Sequence, residues 1–121
     1  LAVRDAQTAV LFAGALVSVG RIPELRNESI PGWLAALDRI HALDVNEVVP
    51  GFGPVVKPDR IDSVGQYLRE LDRGVHEAYG AGVGLTDART QVQTPNFRHW
   101  KLYSVAHPQN VQRVYLQLEP R

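Results

Sequence analysis

Cysteine is missing from all 121 residues, which excludes a disulfide framework, a thiolate metal site and a cysteine nucleophile together. A surplus of either charge is missing too, since 13 basic side chains face 13 acidic ones with no block of like sign. That argues against nucleic-acid or membrane-surface partners held by net charge. No apolar run approaches the roughly 18 residues that would cross a bilayer. Methionine is absent as well. A translated chain starts with Met, so Leu1 reads as an internal residue, and the chain as a processed product or a fragment without its upstream part. What is present is an apolar content of 45%, enough for one domain with a small core.

Apolar periodicity divides the chain into short elements. Ala2–Arg4 and Ala9–Ala13 read as an antiparallel hairpin across the polar turn Asp5-Ala6-Gln7-Thr8. A loop over 15–31 leads to a helix over 31–43, with Ser29 as N-cap, Pro31 in the first turn and an apolar face of Trp33, Leu34, Leu37 and Ile40. Val45–Val49 reads as a strand, and 50–54 as a glycine turn. Asp59 opens the longest helix, about 59–79, where Ile61, Val64, Leu68, Leu71 and Val75 recur at three- and four-residue steps. Thr86 caps a short helix over 87–92. A last helix over 108–119 presents Val111, Val114, Tyr115 and Leu118. Three strands and two long helices form a thin layer, with one sheet face left to be covered by something else.

Most candidate motifs reduce to ordinary structure. "GAGVG" (80–84) looks like a phosphate loop, but it closes a helix where phosphate binding requires that one open, so it reads as a C-cap. The four histidines show no HxH, HxxH or HExxH spacing. His41 lies beside an apolar helix face, His76 stands four residues after Asp72 as a surface pair, His99 precedes Trp100, and His107 precedes Pro108 at a helix start. Structural or solvated roles are favoured for all four, least firmly for His107. Ser18, Ser29, Ser63 and Ser104 lack a nucleophile-elbow context, and Asn27-Glu28-Ser29 is a glycosylation triplet of a kind common by chance.

Two segments stand above this background. "LFAGALVSVGRIPEL" (11–25) and "VVPGFGPV" (48–55) each place a glycine-framed residue just past an apolar strand. Physics alone favours two ordinary strand-to-loop turns. Taken together, however, they resemble the C-terminal half of the metallo-β-lactamase superfamily. There a strand ends in a Gly-Asp pair, as in "LFAGDLV", whose aspartate bridges two metals, and a later strand ends in "PGHGP", whose histidine ligates the second metal. "WLAALDRI" (33–40) occupies the helix between them. "GRIPEL", "YLRELDRGV" (67–75) and "HPQNVQRVYLQLE" (107–119) look like the branch named quinoprotein relay system zinc metallohydrolases.

The resemblance implies residues 1–121 as the C-terminal half of an αββα sandwich, a mixed α/β sheet with helices on one face, and 95–121 as a C-terminal helical extension. It puts Ala15 at the aspartate position and Phe52 at the histidine position, with Gly14, Gly51 and Gly53 shaping the pocket. Neither Ala15 nor Phe52 has a donor atom, so these positions supply no ligand to the zinc that the family carries. The function that follows is a catalytically degenerate binding or scaffold component. The alternative is a hydrolase retaining a single zinc on upstream histidines of an HxHxDH motif. The upstream half of the same protein, or a second, domain-swapped copy, is the expected partner, and a bacterial periplasm the expected setting.

Overall fold

The computed structural model describes residues 3–5, 10–18, 20–25, 29–42, 47–52 and 62–119. Its elements run β1 (Val3–Asp5), β2 (Val10–Ser18), α1 (Ile30–Ala42), β3 (Glu47–Phe52), α2 (Asp62–Gly80), α3 (Leu85–Gln91), a single 3-10 turn (Pro95–Phe97) and α4 (Tyr103–Leu118).

The expected α/β half-sandwich is corrected: the fold is mostly helical. Helices of 13, 19, 7 and 16 residues outweigh strands of 3, 9 and 6. More decisively, α2 packs against α4, α1 and α3, while the strands pack chiefly on one another and touch α1 only lightly. Among the described residues no sheet layer therefore underlies the long helices, and the metallo-β-lactamase-type layering does not describe them. The long helices cover one another instead: the face of α2 that buries Val64, Tyr67, Leu68, Leu71 and Val75 is met by α1, α3 and α4. Each such side chain contributes about 1.5–3 kcal/mol of burial, so the arrangement that encloses all of them wins.

The strands form a small set of paired segments in the order β1-β2-β3. β1 is antiparallel to β2, with Arg4 opposite Leu11, and β2 is parallel to β3, with Leu11 opposite Val48. Regular pairing fails where Pro50 comes opposite Gly14. Proline has no N–H for the ladder, and the register shifts there. β3 runs on through Phe52 and β2 through Ser18, so the turn expected at 50–54 and the loop expected from 15 both begin later.

Local signals set the helix ends. Ser29 caps α1, its Oγ accepting from Gly32 N at 3.1 Å. At the close of α2, Val83 N donates to Ala78 O and Gly82 N to Tyr79 O, with Gly82 at φ +80°, which is a Schellman cap. The "GAGVG" reading as a helix stop is thus the correct one. Tyr115 Oη donates to Val83 O at 2.8 Å and docks this cap on α4.

Two sequence-based boundaries need correction. α3 begins at Leu85 behind Gly84, so Thr86 is inside it and caps nothing. α4 begins at Tyr103, a full turn before the expected start, with Pro108 inside it. The cap proposed at Asp59 lies outside the described residues.

Candidate functional site

Among the described residues, buried polar chemistry gathers where α2 and α4 cross. Tyr67 comes from α2, His107 and Asn110 from α4, and all three are buried. His107 and Asn110 interrupt the apolar stripe of α4 at the same three- and four-residue spacing as Ala106, Val111, Val114 and Tyr115. They therefore go into the core with the stripe.

The hydrogen bonds fix the chemistry of the cluster. His107 Nε2 lies 2.9 Å from the Val92 carbonyl, which can only accept, so Nε2 carries the proton. Nδ1 of the neutral ring must then accept, and Tyr67 Oη donates to it at 2.8 Å. The Tyr67 oxygen in turn accepts from Asn110 Nδ2 at 3.2 Å. Asn110 Nδ2 also donates to Pro23 O at 2.6 Å, and Asn110 Oδ1 accepts from Leu25 N at 3.1 Å. Both ring nitrogens and both amide groups of these side chains are engaged by protein atoms.

A second ring of contacts supports the first. The Tyr103 ring stacks on His107 with centroids 4.5 Å apart and planes 8° from parallel. Tyr103 Oη accepts from Thr94 N at 2.9 Å, so the segment 92–94 is tied to α4 at both ends. Phe97 and Trp100 meet Tyr67 with centroids at 5.5 and 6.1 Å. In this setting burial pushes the Tyr67 hydroxyl well above its ordinary pKa and the His107 imidazole below its own. The tyrosine stays protonated and the histidine neutral.

Such an arrangement orders segments; it does not move protons. A ring whose two nitrogens are both committed inside the core can neither take a proton from a substrate nor bind a metal without breaking bonds. One buried side-chain nitrogen elsewhere among the described residues, Arg113 Nη1, has no partner. The neighbouring surface carries an open recess of about 350 Å³, with Gly74, Ala78, Val83 and Val92 in its lining and Glu77 and Gln93 as polar members.

The residues singled out in the sequence lie elsewhere. Gly14 and Ala15 are in β2, and Gly51 and Phe52 in β3, on neighbouring parallel strands. Phe52 stands opposite Ser18, three positions beyond Ala15, so the register does not make Ala15 and Phe52 a facing pair. Gly53 lies outside the described residues. Among the histidines, His76 Nδ1 lies 2.8 Å from Asp72 O and 3.3 Å from its carboxylate, the expected surface pair. His107 is within a helix and buried, where the sequence reading placed it at a helix start. Among the described residues no three His, Asp or Glu side chains are grouped so that they could hold a metal ion. No helix among them is long and apolar enough to cross a membrane.

No family model and no curated protein matches this chain. The internal geometry therefore carries the functional argument.

Proposed function

We propose that this chain is a binding or scaffold component without hydrolytic chemistry of its own, and that the partner it binds is a second copy of the same chain. The observation that carries the reading is the closed Tyr67–His107–Asn110 cluster, in which the chemically versatile side chains are spent on holding segments together. Ala15 in β2 and Phe52 in β3 add no side-chain donor atom for a metal. The surface supports the partner. Leu102, Val105 and Leu116 leave 44, 60 and 50% of their areas in solvent. Val105 and Leu116 are three helical turns apart on one edge of α4 with Gln109 and Gln112 between them, and Leu102 stands just before that helix, so the edge offers a partner three separate apolar side chains with amides between.

Sedimentation velocity over a concentration series tests this reading, run beside calorimetric zinc titration. A dimer that dissociates in the Val105→Glu/Leu116→Glu double variant, with no stoichiometric zinc heat, is expected. A monomer at every concentration, or tight one-to-one zinc uptake by the chain, overturns it.

A further inference from the structure

The outward side of α4 carries a pattern of its own. Val105, Gln109, Gln112 and Leu116 recur at steps of four, three and four residues, the seam spacing of paired helices. They fall within an arc of about 60°, on the side of the helix opposite the buried His107 and Val114. Val105, Gln109 and Leu116 are exposed and Gln112 is half-buried, and neither glutamine amide bonds to another described residue. We propose, resting on the second-copy reading above, that this seam packs antiparallel on the same seam of the second copy. The two-fold axis then passes between Gln109 and Gln112.

The chemistry of the seam reads the same from either end: apolar, amide, amide, apolar. A two-fold contact repeats every pairing, so that a residue i meeting j requires j to meet i. In the antiparallel register Val105 meets Leu116 of the second copy, and Leu116 meets the second copy's Val105. Gln109 and Gln112 then meet across the axis, where each amide can donate to the other and accept from it. A slip of one helical turn would set an amide against Val105 or Leu116 with nothing to bond. The glutamines therefore fix the alignment.

Charge selects the direction. A parallel pair would also match the seam to itself, but it would bring Lys101 beside Lys101 and Glu119 beside Glu119. The antiparallel pair sets the Lys101 end of one helix against the Glu119 end of the other. Arg98 and His99, both exposed shortly before α4, add to the basic end. The helix dipoles, running in opposite directions, favour the same arrangement. A single helix pair falls below the roughly 1,200–2,000 Å² of a stable interface, so the association is weak and concentration-dependent.

The chain has no cysteine, so single-cysteine variants report the register without interference. Val105→Cys and Leu116→Cys change exposed positions, and the fold is not at stake in either. Each is oxidised alone and in an equal mixture, with one variant labelled with nitrogen-15 so that mixed dimers are told by mass. The mixture should give the disulfide between Val105→Cys and Leu116→Cys at least about fivefold over either self-linked dimer, since self-linking would have to span about 16 Å. Self-linked dimers in excess would mean a parallel pair and overturn the proposal. No cross-link in any combination, with the wild type still dimeric in sedimentation, would place the second copy elsewhere. That result overturns this seam and leaves the second-copy reading standing. A wild type that stays monomeric at every concentration overturns both.

Discussion

Tyr67 Oη donates to His107 Nδ1 across 2.8 Å, and the direction of that bond is set by neither residue but by the Val92 carbonyl on the far side of the ring. The carbonyl demands the proton on Nε2, which leaves Nδ1 as an acceptor and turns the tyrosine proton toward it. Asn110 then fills the remaining lone pair of the tyrosine oxygen. Disturbing any member exposes the others.

Asn110→Ala should be the most damaging of the single polar changes. It strands Leu25 N and Pro23 O and removes a donor to Tyr67, and unmade buried groups cost about 1–3 kcal/mol each. A loss of about 3 kcal/mol in urea unfolding is expected, with protection at 20–25 falling before that of the helices. A loss within experimental error of zero would mean that the connection is held by other contacts.

Tyr67→Phe keeps the ring that packs on Phe97 and Trp100 and removes only the hydroxyl. It should cost about 1–2 kcal/mol, because His107 Nδ1 loses its donor. Combined with Asn110→Ala, the two losses should fall short of their sum by about 0.5 kcal/mol or more, since both changes act on one oxygen. Strict additivity in that cycle would show two independent sites.

Leu102 adopts φ 66° and ψ 14°, the left-handed region, just before α4. A side chain costs about 1 kcal/mol there, and this one is already 44% exposed, so it has little burial to lose. Leu102→Gly is expected to stabilise the chain by about 0.5–1 kcal/mol in thermal or urea unfolding. Destabilisation instead would show that the exposed leucine is held by packing.

Gly74 is in the middle of α2, where alanine ordinarily stabilises a helix by about 1 kcal/mol. A methyl group placed there would come within 2.8 Å of Val92 Cγ1, too close for the neighbour to remain in place. The sign should therefore reverse, with Gly74→Ala destabilising by about 1–3 kcal/mol. Adding Val92→Ala should recover part of the loss, which unfolding midpoints of the pair of variants can check.

How much of this was visible in the sequence depends on the range of the interactions. Ser29 as a cap, the buried Val64, Leu68, Leu71 and Val75, and the glycine stop after α2 are local signals, and each could be read from a few neighbouring residues. Pro108 misled the reading of α4. It looked like a first-turn residue, yet the helix starts at Tyr103. The missing Pro108 N–H leaves Ser104 O without its helical bond, and Ser104 is exposed, so water can meet the need. The fold class failed for a different reason. An α/β reading makes the strands the layer on which helices lie, whereas α2 has α1, α3 and α4 as neighbours. The polar cluster joins residues 15 to 87 positions apart, and no local pattern encodes bonds of that length. One clue was available: polar residues at 107 and 110 on the stripe of Val111, Val114 and Tyr115 could enter the core only with partners waiting there.

The account rests most heavily on His107 as a neutral ring with both nitrogens committed within the protein. Long-range proton–nitrogen NMR of the imidazoles at neutral pH, without and then with zinc, measures this directly. The account predicts a single Nε2–H tautomer for His107, with nitrogen shifts that zinc leaves unchanged. An Nδ1–H tautomer, or His107 nitrogens that shift as zinc is added, would contradict it.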